Sequence, residues 1–193
     1  EKHQSLKTEI MLKKSRLELL ENLEKDQEGF NYAIKKLMEE AEKKSNYGKL
    51  VDSVLANILT LDEKYQVAIE MALGYSLQNI VVEKEEDAKE LIEFLKQNKY
   101  GRASFLPLNT IKGYKLEDSK INKGNIDGIV EVAANLVRYN TKYTNIINYL
   151  LGQIVIVKDN NTAIQLARLN KYRFKIITLE GDIINPSGVM TGG

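Results

Sequence analysis

The sequence predicts an α+β fold in which two related subdomains follow a long coiled-coil helix. Three observations carry this reading. Residues 1–45 contain no proline and place apolar residues in heptads, short β-branched strands alternate with helices beyond them, and the second half repeats the first. The expected division is 1–45 for the coiled-coil arm, 46–118 for a first subdomain and 119–193 for a second.

In the arm, Leu6, Ile10, Leu17 and Leu20 fall at a and d positions of one heptad frame. Leu23, Phe30 and Leu37 then recur in a second frame, with Ile34 and Ala41 beside them. The step from Leu20 to Leu23 is a stammer, which locally overwinds a coiled coil. Lys13 and Gln27 interrupt the seam, so an amphipathic helix packed on a globular body is the alternative. A single strand of a coiled coil cannot bury its own seam, so the partner is expected elsewhere.

A helix stop stands at Ser45-Asn46-Tyr47-Gly48. Beyond it, Leu61–Leu73 reads as a helix with Tyr65, Ile69 and Leu73 at spacing four. Asn79–Val82 reads as a strand, Glu85–Asn98 as a helix presenting Ala88, Leu91, Ile92 and Leu95, and Ala103–Leu106 as a strand ended by Pro107. Residues 109–128, with Gly113, Gly124 and Gly128, read as a connecting loop. Tyr65-x3-Ile69-x3-Leu73-Gly74 then matches Tyr143-x3-Ile147-x3-Leu151-Gly152 without a gap. Val81-Val82 answers Ile156-Val157, Ala88 answers Ala163, and Gly101–Leu108 lies over Tyr172–Leu179. Each half is thus helix, Leu-Gly stop, strand, helix and Arg-led strand, with the glycine expected as a left-handed cap. Chance similarity between two such units is the alternative.

Composition narrows function. With 43% hydrophobic residues the chain has material for a core. The longest apolar run, Ile154–Val157, is far short of the roughly 20 residues a bilayer span needs, and no secretory leader is visible. The absence of cysteine excludes disulfides, thiolate nucleophiles and cysteine-held zinc. The single histidine, His3, sits in a charged segment and is expected to be solvated. A formal net charge of +1, from 28 basic and 27 acidic side chains, leaves DNA contact to a local, salt-sensitive patch. Phosphate-loop chemistry has no template, because Gly48-Lys49 is followed by Leu50 and position 43 is lysine. The carboxylate runs at Glu83/Glu85–Asp87 and Glu39/Glu40/Glu42 read as solvated helix faces.

The most informative segment is Gly181-Asp182, followed by Asn185-Pro186-Ser187-Gly188-Val189-Met190-Thr191-Gly192-Gly193. Glycine at 188, 192 and 193 suits a positive φ or the close approach of another backbone. A glycine-rich turn leaving a strand would also explain it. This stretch resembles the closing signature of the hinge of SMC (structural maintenance of chromosomes) proteins of the bacterial type. Gly101–Leu108 resembles the same family's first-subdomain strand, and so does Ala68-Ile69-Glu70-x-Ala72-Leu73-Gly74 continuing to Gln78–Val82. The matches run in order from about Gly48 to Gly193; Ser187 stands where the family often has glycine, and Ser104 where it often has threonine.

The resemblance implies two α+β subdomains that pair head to tail with a second copy, giving a ring-like homodimer with Gly188, Thr191, Gly192 and Gly193 at the subunit contact. It implies no catalysis and no cofactor here. ATP would bind at head regions outside this chain, and kleisin-type subunits would join only there. It implies a cytoplasmic, nucleoid-associated protein without membrane contact, taking part in chromosome condensation and segregation. DNA is an expected weak partner, with Lys43, Lys44 and Lys49 near the junction of arm and globular part, although these could be ordinary solvated charges. Two other readings stay open: a coiled-coil adaptor whose globular part binds another protein, and a small α/β enzyme cradling phosphate at Gly181–Gly193.

Overall fold

The computed structural model describes residues 2–193, and their packing divides into two compact units. One comprises residues up to Val51 together with Glu86–Ala103; the other comprises Asp52–Glu85 and Ser104–Gly193. The heptad segment is one helix, α1 (Lys2–Glu42). Leu6, Ile10 and Leu17 of its seam are about half exposed, as a seam without a partner in its own chain must be. Lys13, at a core position, is also exposed. The side chains of His3, Leu20, Leu23, Gln27 and Phe30 lie outside the described residues.

The C-terminal part of α1 has a different environment. Ala33 and Leu37 are fully buried, and an aromatic cluster forms where α1 meets the end of α4 (Glu85–Asn98). Tyr32 stands edge-on to Tyr100 at 5.8 Å, Phe94 packs on Tyr47 at 4.4 Å and on Tyr100 at 5.7 Å. Lys36 lies over Tyr32 and Tyr100, and its hydrogen bond to Glu39 holds the ammonium above its ordinary pKa. Two bare backbones touch here, since a Cβ on Gly101 would stand 2.3 Å from the Gly29 carbonyl oxygen.

The second unit holds ten short strands. In chain order, with intervening helices, they are β1 (Ser53–Val54), α2 (Leu55–Ile58), β2 (Thr60–Leu61), α3 (Gln66–Leu73), β3 (Ile80–Val82), β4 (Phe105–Pro107), β5 (Ile129–Val132), β6 (Val137–Arg138), α5 (Thr144–Leu151), β7 (Ile154–Val157), α6 (Asn160–Leu169), β8 (Lys175–Thr178), β9 (Ile183–Ile184) and β10 (Met190–Thr191). One sheet has the order β1-β3-β4, a second β10-β9-β8-β7-β5, and β2 pairs with β6.

The repeat reaches further than Tyr65 and Tyr143. Val54–Gly74 lies over Val132–Gly152 without a gap, and Ala56-Asn57 and Lys64-Tyr65 recur as Ala134-Asn135 and Lys142-Tyr143. Topology repeats with it. In each copy an antiparallel strand flanks the first of two parallel strands: β1 on β3, which pairs with β4, and β5 on β7, which pairs with β8. The copies join through β2 and β6, where Thr60 faces its own counterpart Arg138. An antiparallel pair centred on equivalent residues places a local pseudo-two-fold axis between them. The core of this unit draws on both copies, with Ile69, Leu73 and Val81 from one and Ile147, Leu151 and Ile156 from the other.

Three expectations need correction. Leu61 does not begin a helix: Thr60–Leu61 is a strand, Asp62 is extended, and α3 starts at Gln66 after a 3-10 turn at Glu63–Tyr65. The long-range partner β6 overrides the local helical spacing. The Leu-Gly stops are also not alike. Gly74 has φ +51° and ψ −131°, a positive-φ region outside the left-handed helical basin, while Gly152 has φ −70°. Gly152 is bare for another reason, because a Cβ would come within 2.2 Å of the Tyr114 carbonyl oxygen and 2.3 Å of that of Asn148. The predicted strand at Ala103–Leu106 begins two residues later and includes Pro107, whose missing N–H is tolerated on an outermost strand.

Candidate dimerisation edge

β9 and β10 extend the second copy beyond the repeat. The chain leaves β9 through Asn185-Pro186-Ser187-Gly188, where Gly188 has φ +86° and its N–H donates to the Asn185 carbonyl at 2.8 Å. A turn with that torsion selects glycine at 188. The chain returns antiparallel as β10, with Met190 opposite Ile184 and Thr191 opposite Ile183.

The hydrogen-bond pattern decides which way the backbone of β10 faces. Asn185 N–H donates to the Val189 carbonyl at 2.9 Å, which makes residues 185 and 189 a bonded pair. Antiparallel ladders alternate, so Ile183 and Thr191 form the next bonded pair and Met190 turns its N–H and C=O away from β9. β10 is the outermost strand of its sheet, so that face is an open edge. Val189 and Met190 expose more than half of their surface beside it. An unpaired strand edge carrying apolar side chains is a template for another strand.

The four residues expected at a subunit contact therefore gather on one segment: Gly188 in the turn, Thr191 in β10, and Gly192 and Gly193 just past it. Around Gly188 and Gly193 a Cβ would meet nothing within 4 Å, but one on Gly192 would stand 2.2 Å from Asp182 Oδ1. The sequence motif includes Asp182 but assigns it no role. The signal available was its place between Gly181 and the terminal glycines.

The three lysines lie on the other unit. Lys43 follows α1 and pairs loosely with Glu40 at 3.7 Å, Lys44 takes φ +52°, and Lys49 belongs to the 3-10 turn Gly48–Leu50. All three are exposed. Among the described residues no group of three or more histidine or carboxylate side chains could hold a metal ion, and no helix is long and apolar enough to cross a membrane.

The repeated βαβ core of the second unit thus carries an open strand edge to which another strand can pair. The model of the SMC proteins' flexible hinge domain matches residues 48–167. This chain belongs to the SMC hinge family, the non-catalytic dimerisation module of those proteins. It is 40% identical over 192 residues to the chromosome partition protein Smc of Desulfitobacterium hafniense and 38% over 181 residues to that of Halothermothrix orenii. Those matches cover 98% and 94% of this chain but only 16% and 15% of the relatives, so the chain spans about a sixth of their length. Among solved structures, an asymmetric dimer of the Geobacillus stearothermophilus SMC hinge domain superposes with a TM-score of 0.77 at 35% identity, over 93% of this chain and 72% of that one.

Proposed function

We propose that this chain homodimerises by pairing the open edge of β10 with a second copy, and that it serves as the hinge of a chromosome-partitioning SMC ATPase. The observation that carries this is the outward-facing backbone of Met190, flanked at Gly188 and Gly193 by bare backbone with free space beside it. Gly188, Thr191, Gly192 and Gly193 are the contact residues in this reading. The two topological repeats, residues 46–118 and 119–193, act as unlike subdomains, and two head-to-tail contacts related by a two-fold axis close the dimer. α1 is one strand of the arm coiled coil, its exposed seam awaiting an antiparallel partner. ATP binds and kleisin-type subunits join at head regions outside this chain, none of them here, and the protein works in the cytoplasm on the nucleoid.

Met190→Pro tests the edge. It deletes the outward N–H and leaves the ladder to β9 intact, because residue 190 is not in a bonded pair. Sedimentation should show a monomer with unchanged circular dichroism. A tight dimer would rule out β10 as the contact.

DNA is the second proposed partner, held weakly through Lys43, Lys44 and Lys49. Changing all three to glutamate should weaken duplex binding at low salt and flatten its dependence on salt by up to about three phosphate contacts. Unchanged affinity across the salt series would remove these lysines from the interface.

A further inference from the structure

We infer that Asp182 is a positioning residue for dimerisation, and that Gly192, although it lies in the contact segment, lacks a side chain in order to admit the Asp182 carboxylate and not because a partner's backbone presses on it. The proposal rests on β10 being the contact strand, and deepens that reading.

Asp182 is fixed before its side chain acts. Its N–H donates to Thr178 Oγ1 at 3.1 Å, its carbonyl accepts from Thr178 N–H at 2.9 Å, and Gly181 N–H donates to the Thr178 carbonyl at 2.9 Å. These bonds tie it to the end of β8. Its carboxylate then bridges two elements. Oδ2 accepts from Asn160 Nδ2, in the first turn of α6, at 2.8 Å, and Oδ1 accepts from Gly193 N–H at 3.4 Å. The segment after β10 is therefore held by an anchored carboxylate. A two-residue strand at a sheet edge has little to hold it in line, and this clamp acts immediately beyond its last residue.

Gly192 completes the geometry. A Cβ there would stand 2.2 Å from Asp182 Oδ1, 2.9 Å from Cγ and 3.3 Å from Cβ, so any side chain evicts the carboxylate. The other two terminal glycines have open space around the missing Cβ. Of the three, Gly192 is the one whose bareness a contact within its own chain demands, while Gly188 and Gly193 take positive φ. With the clamp intact, Met190 presents its N–H and C=O along one line; without it, the edge frays and docking must first order it.

A double-mutant cycle on the dimer separates the two explanations of Gly192. Asp182→Ala and Gly192→Ala should each raise the dimer dissociation constant about tenfold, and the double variant should be no worse than Asp182→Ala alone. If Gly192→Ala is as damaging without Asp182 as with it, the glycine faces the partner and the proposal fails. It also fails if Asp182→Ala leaves the dissociation constant unchanged. Amide exchange at Thr191 and Gly193, measured in the Met190→Pro background, reads the clamp without any contribution from pairing. It should speed up on adding Asp182→Ala, and unchanged exchange would overturn the clamp. A Met190→Pro protein that stays dimeric would instead overturn the edge reading, and is seen by sedimentation before exchange is measured.

Discussion

Gly74 and Gly152 occupy equivalent positions in the two copies, yet physical chemistry demands glycine at each for a different reason. At Gly74 the demand is torsional: φ +51° with ψ −131° is a conformation that L side chains rarely adopt, while a Cβ would meet nothing within 4 Å. At Gly152 the torsion is ordinary, and the demand is the Tyr114 carbonyl 2.2 Å from where a Cβ would sit. Alanine at 74 should cost about 1–3 kcal/mol as local strain. Alanine at 152 should cost about as much as overpacking, but must push away the segment around Tyr114. Leu116 N–H, which donates to the Gly152 carbonyl at 2.8 Å, reports that displacement. Its hydrogen exchange should accelerate in Gly152→Ala and stay near normal in Gly74→Ala. Equal exchange in the two variants would mean that the steric account of Gly152 is wrong.

Elements were legible in proportion to their length and to how locally they are determined. α4 lies where its apolar face, Ala88, Leu91 and Leu95, put it, and β3 and β7 lie on their β-branched runs. The two-residue strands β1, β2, β6, β9 and β10 carry no measurable period, and only their partners create them. Leu61 shows the cost: a residue at helical spacing went into β2 because β6 was there to receive it. The repeat could have revealed this. Ala-Asn and Lys-Tyr recur at equivalent positions upstream of the two helices, so whatever held for residues 54–65 should have held for 132–143. At the candidate edge, density of glycine and family resemblance pointed to Gly188, Thr191, Gly192 and Gly193. Neither could show that Gly192 answers to Asp182, since that contact exists only once β9 and β10 have paired.

At the scale of the whole fold, the repeat is symmetric in topology and asymmetric in charge. Lys64 and Lys142 are counterparts, and each lies over the ring of the following tyrosine, at 4.9 Å for Tyr65 and 5.3 Å for Tyr143. Only the second is gripped by the other copy. Lys142 Nζ donates to Asp52 Oδ1 at 2.5 Å and to Glu83 at 3.2 Å, and the Tyr143 hydroxyl donates to the other Asp52 oxygen at 2.5 Å. The first copy thereby holds the second through one carboxylate that is mostly buried, reinforcing the junction at β2 and β6. Its hydrogen bond to Asp52 raises the Lys142 pKa well above the ordinary lysine range, against a smaller opposing effect of burial. Burial raises that of Tyr143, and the hydrogen bond to Asp52 adds to it. Both groups bind their protons more tightly in the folded chain than in the unfolded one. Their stabilisation is therefore fully present below the unfolded values, about 10 for tyrosine and 10.4 for lysine, and is lost as pH rises through the raised folded values. Urea midpoints should stay level from neutral pH to about 9.5 and then fall on the alkaline side. The variant Lys142→Met with Tyr143→Phe should be less stable at neutral pH, through loss of the partners of Asp52, and should fall less steeply above pH 10. An alkaline slope equal to that of the parent protein would mean that these two groups do not couple the copies.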